Sequence, residues 1–80
     1  MVDIKMLIFH AMVDTGRLDK TDRIEIEDVV YSDDHAYARV GILAYRGRKK
    51  TPFMYWNVCV DTVREEICWD TTTHYSVKGG

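Results

Sequence analysis

Residues 51–72 read TPFMYWNVCVDTVREEICWDTT and decide the fold of this 80-residue chain. Met54, Trp56, Val58 and Val60 alternate with more polar neighbours, and a period of two is typical of a strand with one buried face. A polar segment follows, and then a second short apolar run. This pattern predicts a β-hairpin whose first arm lies at the centre of the sheet.

The length of the hairpin loop sets the register of its two arms. A loop of about four residues predicts the cross-strand pairs Val60–Ile67, Cys59–Cys68, Val58–Trp69 and Asn57–Asp70. Apolar side chains then meet on one face, and polar or sulfur-bearing side chains meet on the other. The loop contains no glycine, so its turn type stays open.

Composition indicates one compact domain, residues 1–80, with 46% hydrophobic and 30% charged residues. A net charge of −2 is too weak to imply a nucleic-acid or membrane partner by itself. Two cysteines are too few for the disulfide framework of a secreted domain, and the N-terminus does not have the pattern of a signal peptide. We therefore expect a cytoplasmic protein, acting in its own cell or in a host, with no membrane partner.

The N-terminal segment, residues 2–14, favours a helix. Ile4, Leu7, Ile8, Ala11 and Met12 recur at helical spacing, and the Gly at position 16 stands where a helix commonly ends. Its first residues also alternate in the way a strand does. We prefer the helix, since the following apolar run has almost no polar residue for the exposed face of a strand.

Two further strands precede the hairpin. Ile24 and Ile26 alternate with glutamates within residues 23–31, and Asp28 interrupts this inward row, which suggests a β-bulge. Residues 36–46 alternate small inward residues with larger outward ones. The sequence therefore predicts an α+β fold in which an N-terminal helix packs on a four-stranded antiparallel β-meander, in the order α-β-β-β-β. We expect the last few residues to be loose.

This order resembles that of cystatin-like and NTF2-like rolls, in which an antiparallel sheet wraps a helix. The segments that carry the resemblance are residues 24–30, 33–40 and 57–70. They contain no diagnostic motif, so the resemblance implies architecture and nothing about activity.

The outward residues of the strands form a second face with an aromatic end. In a simple register, Glu27 lies beside Arg39 and Glu25 beside Gly41. A contiguous aromatic and apolar patch on such a face favours binding of another protein or of a second copy of the chain. We expect the partner-binding residues to be Tyr45, Phe53, Tyr55, Leu43, Tyr37, Glu25, Glu27 and Asp70. The alternative is a solvated face whose tyrosines only support cross-strand pairing.

A basic loop supports a different partner. Arg46, Arg48, Lys49 and Lys50 fall within five residues and are flanked by aromatic side chains, a grouping that binds single-stranded nucleic acid in other proteins. Nucleic-acid binding through residues 46–50 is therefore the alternative function.

No motif predicts an enzyme, a metal site or a cofactor. Cys59 and Cys68 with the histidines lack the close spacing of zinc ligands, and no oxyanion site accompanies them. We expect free thiols and no catalytic residues. The prediction is a non-enzymatic protein-interaction module, an inhibitor that blocks a partner's surface, and it resembles in type the small anti-CRISPR proteins of phages and mobile elements.

Overall fold

The computed structural model describes residues 3–77 and shows one helix packed on an open antiparallel sheet. The elements in chain order are α1 (Ile4–Asp14), β1 (Arg23–Tyr31), β2 (Tyr37–Tyr45), β3 (Met54–Asp61), β4 (Glu66–Ile67), a 3-10 turn (Trp69–Thr71) and β5 (Thr73–Ser76). The strand order is β1-β2-β3-β4, and β5 pairs with β3 next to β4. The predicted α+β fold is confirmed. The last three residues, which we expected to be loose, lie outside the described residues.

Helix α1 begins and ends at capping residues that the sequence supplies. The Asp3 carboxylate accepts a hydrogen bond from the Met6 amide at 3.3 Å. At the other end, Gly16 has a φ of +76°, and the Arg17 amide donates to the Met12 carbonyl at 2.8 Å, which forms a Schellman motif. The helix prediction is confirmed, and Leu18 is buried beyond this cap.

The core lies between α1 and one face of the sheet, here called the inner face. Its buried residues come from the helix, the loop after it and the inward rows of the first three strands: Ile8, Met12, Leu18, Ile24, Ala38, Val40, Ile42, Ala44, Trp56, Val58 and Val60. Small residues on β2 lie beside large ones on β3, as the sequence predicted. The alternation in the sequence therefore identified the buried face of β2 and β3.

The second arm of the hairpin departs from the predicted register after Cys68. Val60 pairs with Ile67, and the Cys68 amide donates to the Cys59 carbonyl at 2.8 Å, both as expected. The Cys59 amide then donates to the Thr72 hydroxyl at 3.1 Å, and that hydroxyl donates to the Cys68 carbonyl at 2.8 Å. The Thr72 side chain thus replaces a backbone hydrogen-bond partner of Cys59, and the chain leaves the strand pairing at Trp69.

Two of the predicted pairs are therefore wrong, because a 3-10 turn replaces the end of the expected fourth strand. Trp69 does not lie opposite Val58, and Asp70 does not lie opposite Asn57. Pairing with β3 resumes in β5, where Thr73 lies opposite Asn57.

The predicted bulge is present in β1. Ile26 pairs with Ile42 and Asp28 with Gly41, so Glu27 is the extra residue. Two expected neighbours are wrong, because the register of β1 against β2 differs from the simple one on both sides of the bulge. Val30, not Glu27, lies opposite Arg39, and Leu43, not Gly41, lies opposite Glu25. After the bulge, Val29 and Tyr31 take the inner-face positions in place of the even-numbered residues.

Candidate protein-interaction surface

The sequence-predicted aromatic patch, here called the outer patch, consists of Leu43, Tyr45, Phe53 and Tyr55. Tyr45 is only 9% exposed. Its hydroxyl donates to Glu25 Oε2 at 3.3 Å, and the Arg23 guanidinium lies 4.9 Å from its ring centroid. Side chains of this chain therefore cover Tyr45.

The other two rings of the outer patch also have neighbours within the chain. Phe53 packs against the core, and the Arg46 guanidinium lies 4.2 Å from its ring centroid. Tyr55 stacks on Tyr75 of β5, with ring centroids 5.0 Å apart and an interplanar angle of 28°. These rings stabilise the fold, whether or not a partner also contacts them.

Burial and nearby carboxylates both raise the pKa values of the tyrosine hydroxyls in the outer patch. Burial raises the pKa of Tyr45, and the adjacent Glu25 carboxylate raises it further. Burial also raises the pKa of Tyr55, with Asp28 as the next contributor. Both hydroxyls are therefore neutral at physiological pH, and Tyr45 acts as a hydrogen-bond donor.

The remaining predicted partner-binding residues do not form one surface with the outer patch. Tyr37 is exposed at the opposite end of the sheet, where it pairs with Asp61. Glu27 is exposed in the bulge. Asp70 lies in the 3-10 turn, outside the strand ladder. The structure therefore brings Glu25 into contact with Tyr45 and Glu27 near enough to raise the pKa of Tyr45 and of Tyr55, whereas Tyr37 and Asp70 lie apart.

Exposed apolar side chains concentrate instead on β1 and the start of β2. Within residues 3–77, five of the eight exposed large hydrophobic residues lie there: Ile26, Val29, Val30, Tyr31 and Tyr37, here called the edge patch. Val30 is 60% exposed and Tyr31 50%. Sequence reasoning named only Tyr37 of this patch and missed the other four residues, although the run Val29-Val30-Tyr31 is apolar on both faces of a strand and was the available signal.

The edge patch coincides with a free strand edge. β1 is nine residues long and lies at one end of the strand order, so one side of it has no neighbouring strand among the described elements. The opposite edge is divided between two-residue β4 and four-residue β5. Short, interrupted strands protect an edge from pairing, whereas a long edge presents unpaired backbone groups.

Residues of β1 contribute to the lining of two grooves. One has a volume of 310 Å³ and is lined by Met6, Phe9 and Ile24 with charged residues at its rim. The other has a volume of 270 Å³ and is lined by Val30, Tyr37, Arg39 and Cys59 among others. The first groove adjoins the start of β1 and can accept a side chain from a segment that lies along it, whereas the second lies over β1, β2 and β3.

The charged residues of β1 beyond Arg23 are all acidic: Glu25, Glu27 and Asp28. All three side chains are exposed. Glu27 and Asp28 make no ion pair within the part of the chain that the structure describes. The free edge therefore combines apolar side chains with negative charge.

The basic loop, residues 46–50, is held in place by residues from elsewhere in the chain. Arg46 Nε lies 3.9 Å from Oδ1 of Asp22, whose side chain is only 4% exposed. Arg23 donates to the carbonyls of Gly47 at 2.9 Å and Lys49 at 2.6 Å. The cations left without these contacts are Arg48, Lys49 and Lys50, and all three are exposed.

The flanking aromatic rings are less accessible than the nucleic-acid hypothesis requires. Arg23 lies over Tyr45 and Arg46 lies over Phe53. Stacking of a base on either ring would require the guanidinium to move away. The loop therefore offers three cations to a phosphate backbone and no open stacking surface on these two rings.

Cys59 and Cys68 are half-buried free thiols. Burial raises the pKa of the Cys68 thiol, and its hydrogen bond with Cys59 raises it further. No cluster of three or more metal-ligating side chains occurs among residues 3–77. In the same part of the chain, no helix has the length and apolar character needed to cross a bilayer.

Comparison with known proteins finds no match: no protein-family model, no curated protein and no solved structure is similar to this chain. No solved structure therefore supports the resemblance to cystatin-like and NTF2-like rolls, and what the structure shows is one helix packed on an open antiparallel sheet.

Proposed function

We propose that this chain is a non-enzymatic protein-interaction module that binds another protein through the edge patch. The observation that supports this is the coincidence of exposed apolar side chains with the long free edge of β1. Exposed apolar patches mark interaction sites in monomeric proteins. Here the exposed residues flank the edge on both faces, with Ile26, Val29 and Tyr31 on the inner face and Val30 and Tyr37 on the outer face. Covering the edge patch also covers an edge that otherwise favours aggregation.

The outer patch contributes to this proposal in a secondary role. Tyr45, Phe53 and Tyr55 as partner anchors remain a prediction, and their contacts with Arg23, Arg46 and Tyr75 mean that substitutions there affect folding as well as binding. The edge patch is the better target for mutation because its side chains are exposed in the free chain.

The acidic residues of β1 favour a basic partner surface. Complementary charge raises the rate of encounter and suppresses wrong partners more than it adds affinity. An inhibitor that occupies the basic groove of a nucleic-acid-binding protein, as phage-encoded anti-CRISPR proteins do, is a specific form of this proposal. Glu25, Glu27 and Asp28 support it through their sign and exposure alone.

Nucleic-acid binding by residues 46–50 is the second candidate function. The observation that favours it is the fixed conformation of the loop, because Arg23 holds two of its carbonyls and leaves three cations exposed. A pre-organised loop loses less conformational entropy when it binds phosphate.

The experiment that tests the proposed function is capture from lysate with a pair of matched variants. Val30→Lys replaces an apolar residue of the edge patch, and Val63→Lys makes the same change at a loop position that is 76% exposed. We expect the wild type and Val63→Lys to capture the same protein, identified by mass spectrometry, and Val30→Lys to lose it. Capture of that protein by all three to the same extent would contradict the proposal.

A further inference from the structure

We propose that β1 binds its partner by strand addition, and that the partner supplies an extended segment in which apolar residues alternate with Lys or Arg. This inference rests on the proposed function and specifies its geometry and the chemistry of the partner. In strand addition, main-chain hydrogen bonds supply affinity and the pockets for alternate side chains supply specificity.

The backbone of β1 shows which groups are available. The Ser32 amide donates to the Tyr37 carbonyl at 2.9 Å, so Ser32 and Tyr37 form a hydrogen-bonded pair. Hydrogen-bonded and non-hydrogen-bonded pairs alternate along an antiparallel ladder. Val30 and Asp28 therefore direct their amides and carbonyls toward β2. Val29 and Tyr31 direct theirs toward the free edge.

The same residues define the face on which the added side chains would lie. Val29 pairs with Val40 and Tyr31 with Ala38, so both side chains are on the inner face of the sheet. Helix α1 covers Ile24 but leaves Ile26, Val29 and Tyr31 exposed. Residues of an added strand opposite these positions would extend the core if they are apolar.

The alternate residues of the added strand would lie on the outer face. There they would meet Glu25 and the bulge residue Glu27, whereas the Asp28 carboxylate lies over Gly41 beside Tyr55. Opposite charges on neighbouring strands stabilise pairing, and like charges destabilise it. Lys or Arg at every second position satisfies this requirement.

Charge also argues against a second copy of the chain as the occupant. Antiparallel pairing of β1 with β1 of another molecule would bring Glu27 and Asp28 of both copies together at the centre of the new ladder. The negative charge at that point, above all that of the two Glu27 side chains, opposes self-association, as charged residues do on many natural edge strands. The acidic edge therefore disfavours pairing with a second copy of the chain and favours pairing with a basic segment.

The test uses three synthetic eight-residue peptides and the full chain. One peptide alternates Lys and Val, one alternates Glu and Val, and one has the four Lys and four Val in two blocks. We expect the alternating Lys–Val peptide to bind with a Kd at least tenfold lower than either other peptide. It should also slow hydrogen exchange of the Val29 and Tyr31 amides. Equal binding of the block peptide would overturn strand addition, since charge alone would then explain the affinity.

Two variants test the geometry. Val29→Pro removes an amide that faces the free edge, a position at which a strand tolerates proline, and should weaken binding of the alternating Lys–Val peptide at least tenfold while the chain stays folded. The double change Glu27→Lys with Asp28→Lys should reverse the preference toward the Glu–Val peptide. Unchanged peptide preference in the double variant would overturn the assignment even if Val29→Pro fails to fold.

The same variants separate this inference from the proposed function. Loss of partner capture in Val30→Lys, with capture and peptide binding retained in a folded Val29→Pro, would overturn strand addition and leave the edge patch as the interaction site. Capture retained in both would contradict the proposed function itself. A dimer of the wild type in sedimentation that Val29→Pro converts to monomer would assign the edge to a second copy and overturn the basic segment.

Discussion

Asp28 lies directly opposite Gly41 across the bulge, and the space beside the glycine is already occupied. A Cβ at Gly41 would lie 2.5 Å from Asp28 Oδ1 and 2.5 Å from the hydroxyl oxygen of Tyr55. Gly41 is not among the glycines with positive φ, which are Gly16 and Gly47. Glycine is therefore required at position 41 because a side chain would have no room there. Asp28 of the bulge and Tyr55 of the outer patch both occupy that space.

Gly41→Ala is expected to lower the free energy of unfolding by about 1–3 kcal/mol, the usual cost of overpacking. The Tyr55 ring cannot move freely because it stacks on Tyr75. The double variant Gly41→Ala with Tyr55→Phe removes the hydroxyl oxygen at 2.5 Å and leaves the ring carbon at 3.3 Å, so it should recover part of the loss, as measured by urea denaturation. The described packing around Gly41 would be contradicted if Gly41→Ala were as stable as the wild type. It would also be contradicted if the free-energy changes of Gly41→Ala and Tyr55→Phe simply added in the double variant.

Alkaline pH should destabilise the chain through its buried hydroxyls. The pKa of Tyr45 and that of Tyr55 are both raised above the ordinary 10.0 in the folded state. As pH rises past 10.0 the unfolded chain releases these protons first, so it binds fewer protons than the folded chain and stability falls. Thermal denaturation from pH 8 to about pH 11 should show this decline. It should be shallower in Tyr45→Phe. An identical pH dependence in Tyr45→Phe would contradict the environment described for its hydroxyl.

The basic loop makes a quantitative prediction for the alternative function. If Arg48, Lys49 and Lys50 contact the phosphates of a single strand, the slope of log K against log salt should be about −2, since each contact contributes about −0.7. Replacement of all three with Gln should abolish binding to a single-stranded oligonucleotide at low salt, whereas the control Arg64→Gln should not. A triple variant that binds like the wild type would remove this loop from consideration.

The parts of the fold that could be predicted are those set by local patterns. Alternation identified the buried rows of β2 and β3, and an acidic residue in an inward row identified the bulge in β1. The four-residue hairpin loop was also correct, and the structure shows why glycine is unnecessary: Glu65 takes a φ of +59°, and Asp61 Oδ1 accepts hydrogen bonds from the Val63 and Arg64 amides at 3.0 and 2.9 Å.

The errors about the fourth strand and the aromatic patch arose from side-chain contacts that local sequence patterns do not predict. The Thr72 hydroxyl replaces a backbone hydrogen-bond partner of Cys59 and so ends the expected fourth strand. No residue pattern in the sequence predicts this contact. Arg23 and Arg46 cover aromatic rings that alternation alone places on an open surface. The edge patch, in contrast, could have been found, because a meander places its first strand at an edge and Val29-Val30-Tyr31 leaves that strand apolar on both faces.

The most direct test of the central claim is hydrogen exchange of the chain alone and in complex with the protein that the wild type captures. The edge patch and the outer patch lie in different segments, so their amides report separately. We predict that exchange slows more in peptides that cover residues 24–31 than in peptides that cover residues 46–55, which include Phe53 and Tyr55 of the outer patch. Slowing confined to residues 46–55, with residues 24–31 unaffected, would contradict binding through the free edge of the sheet.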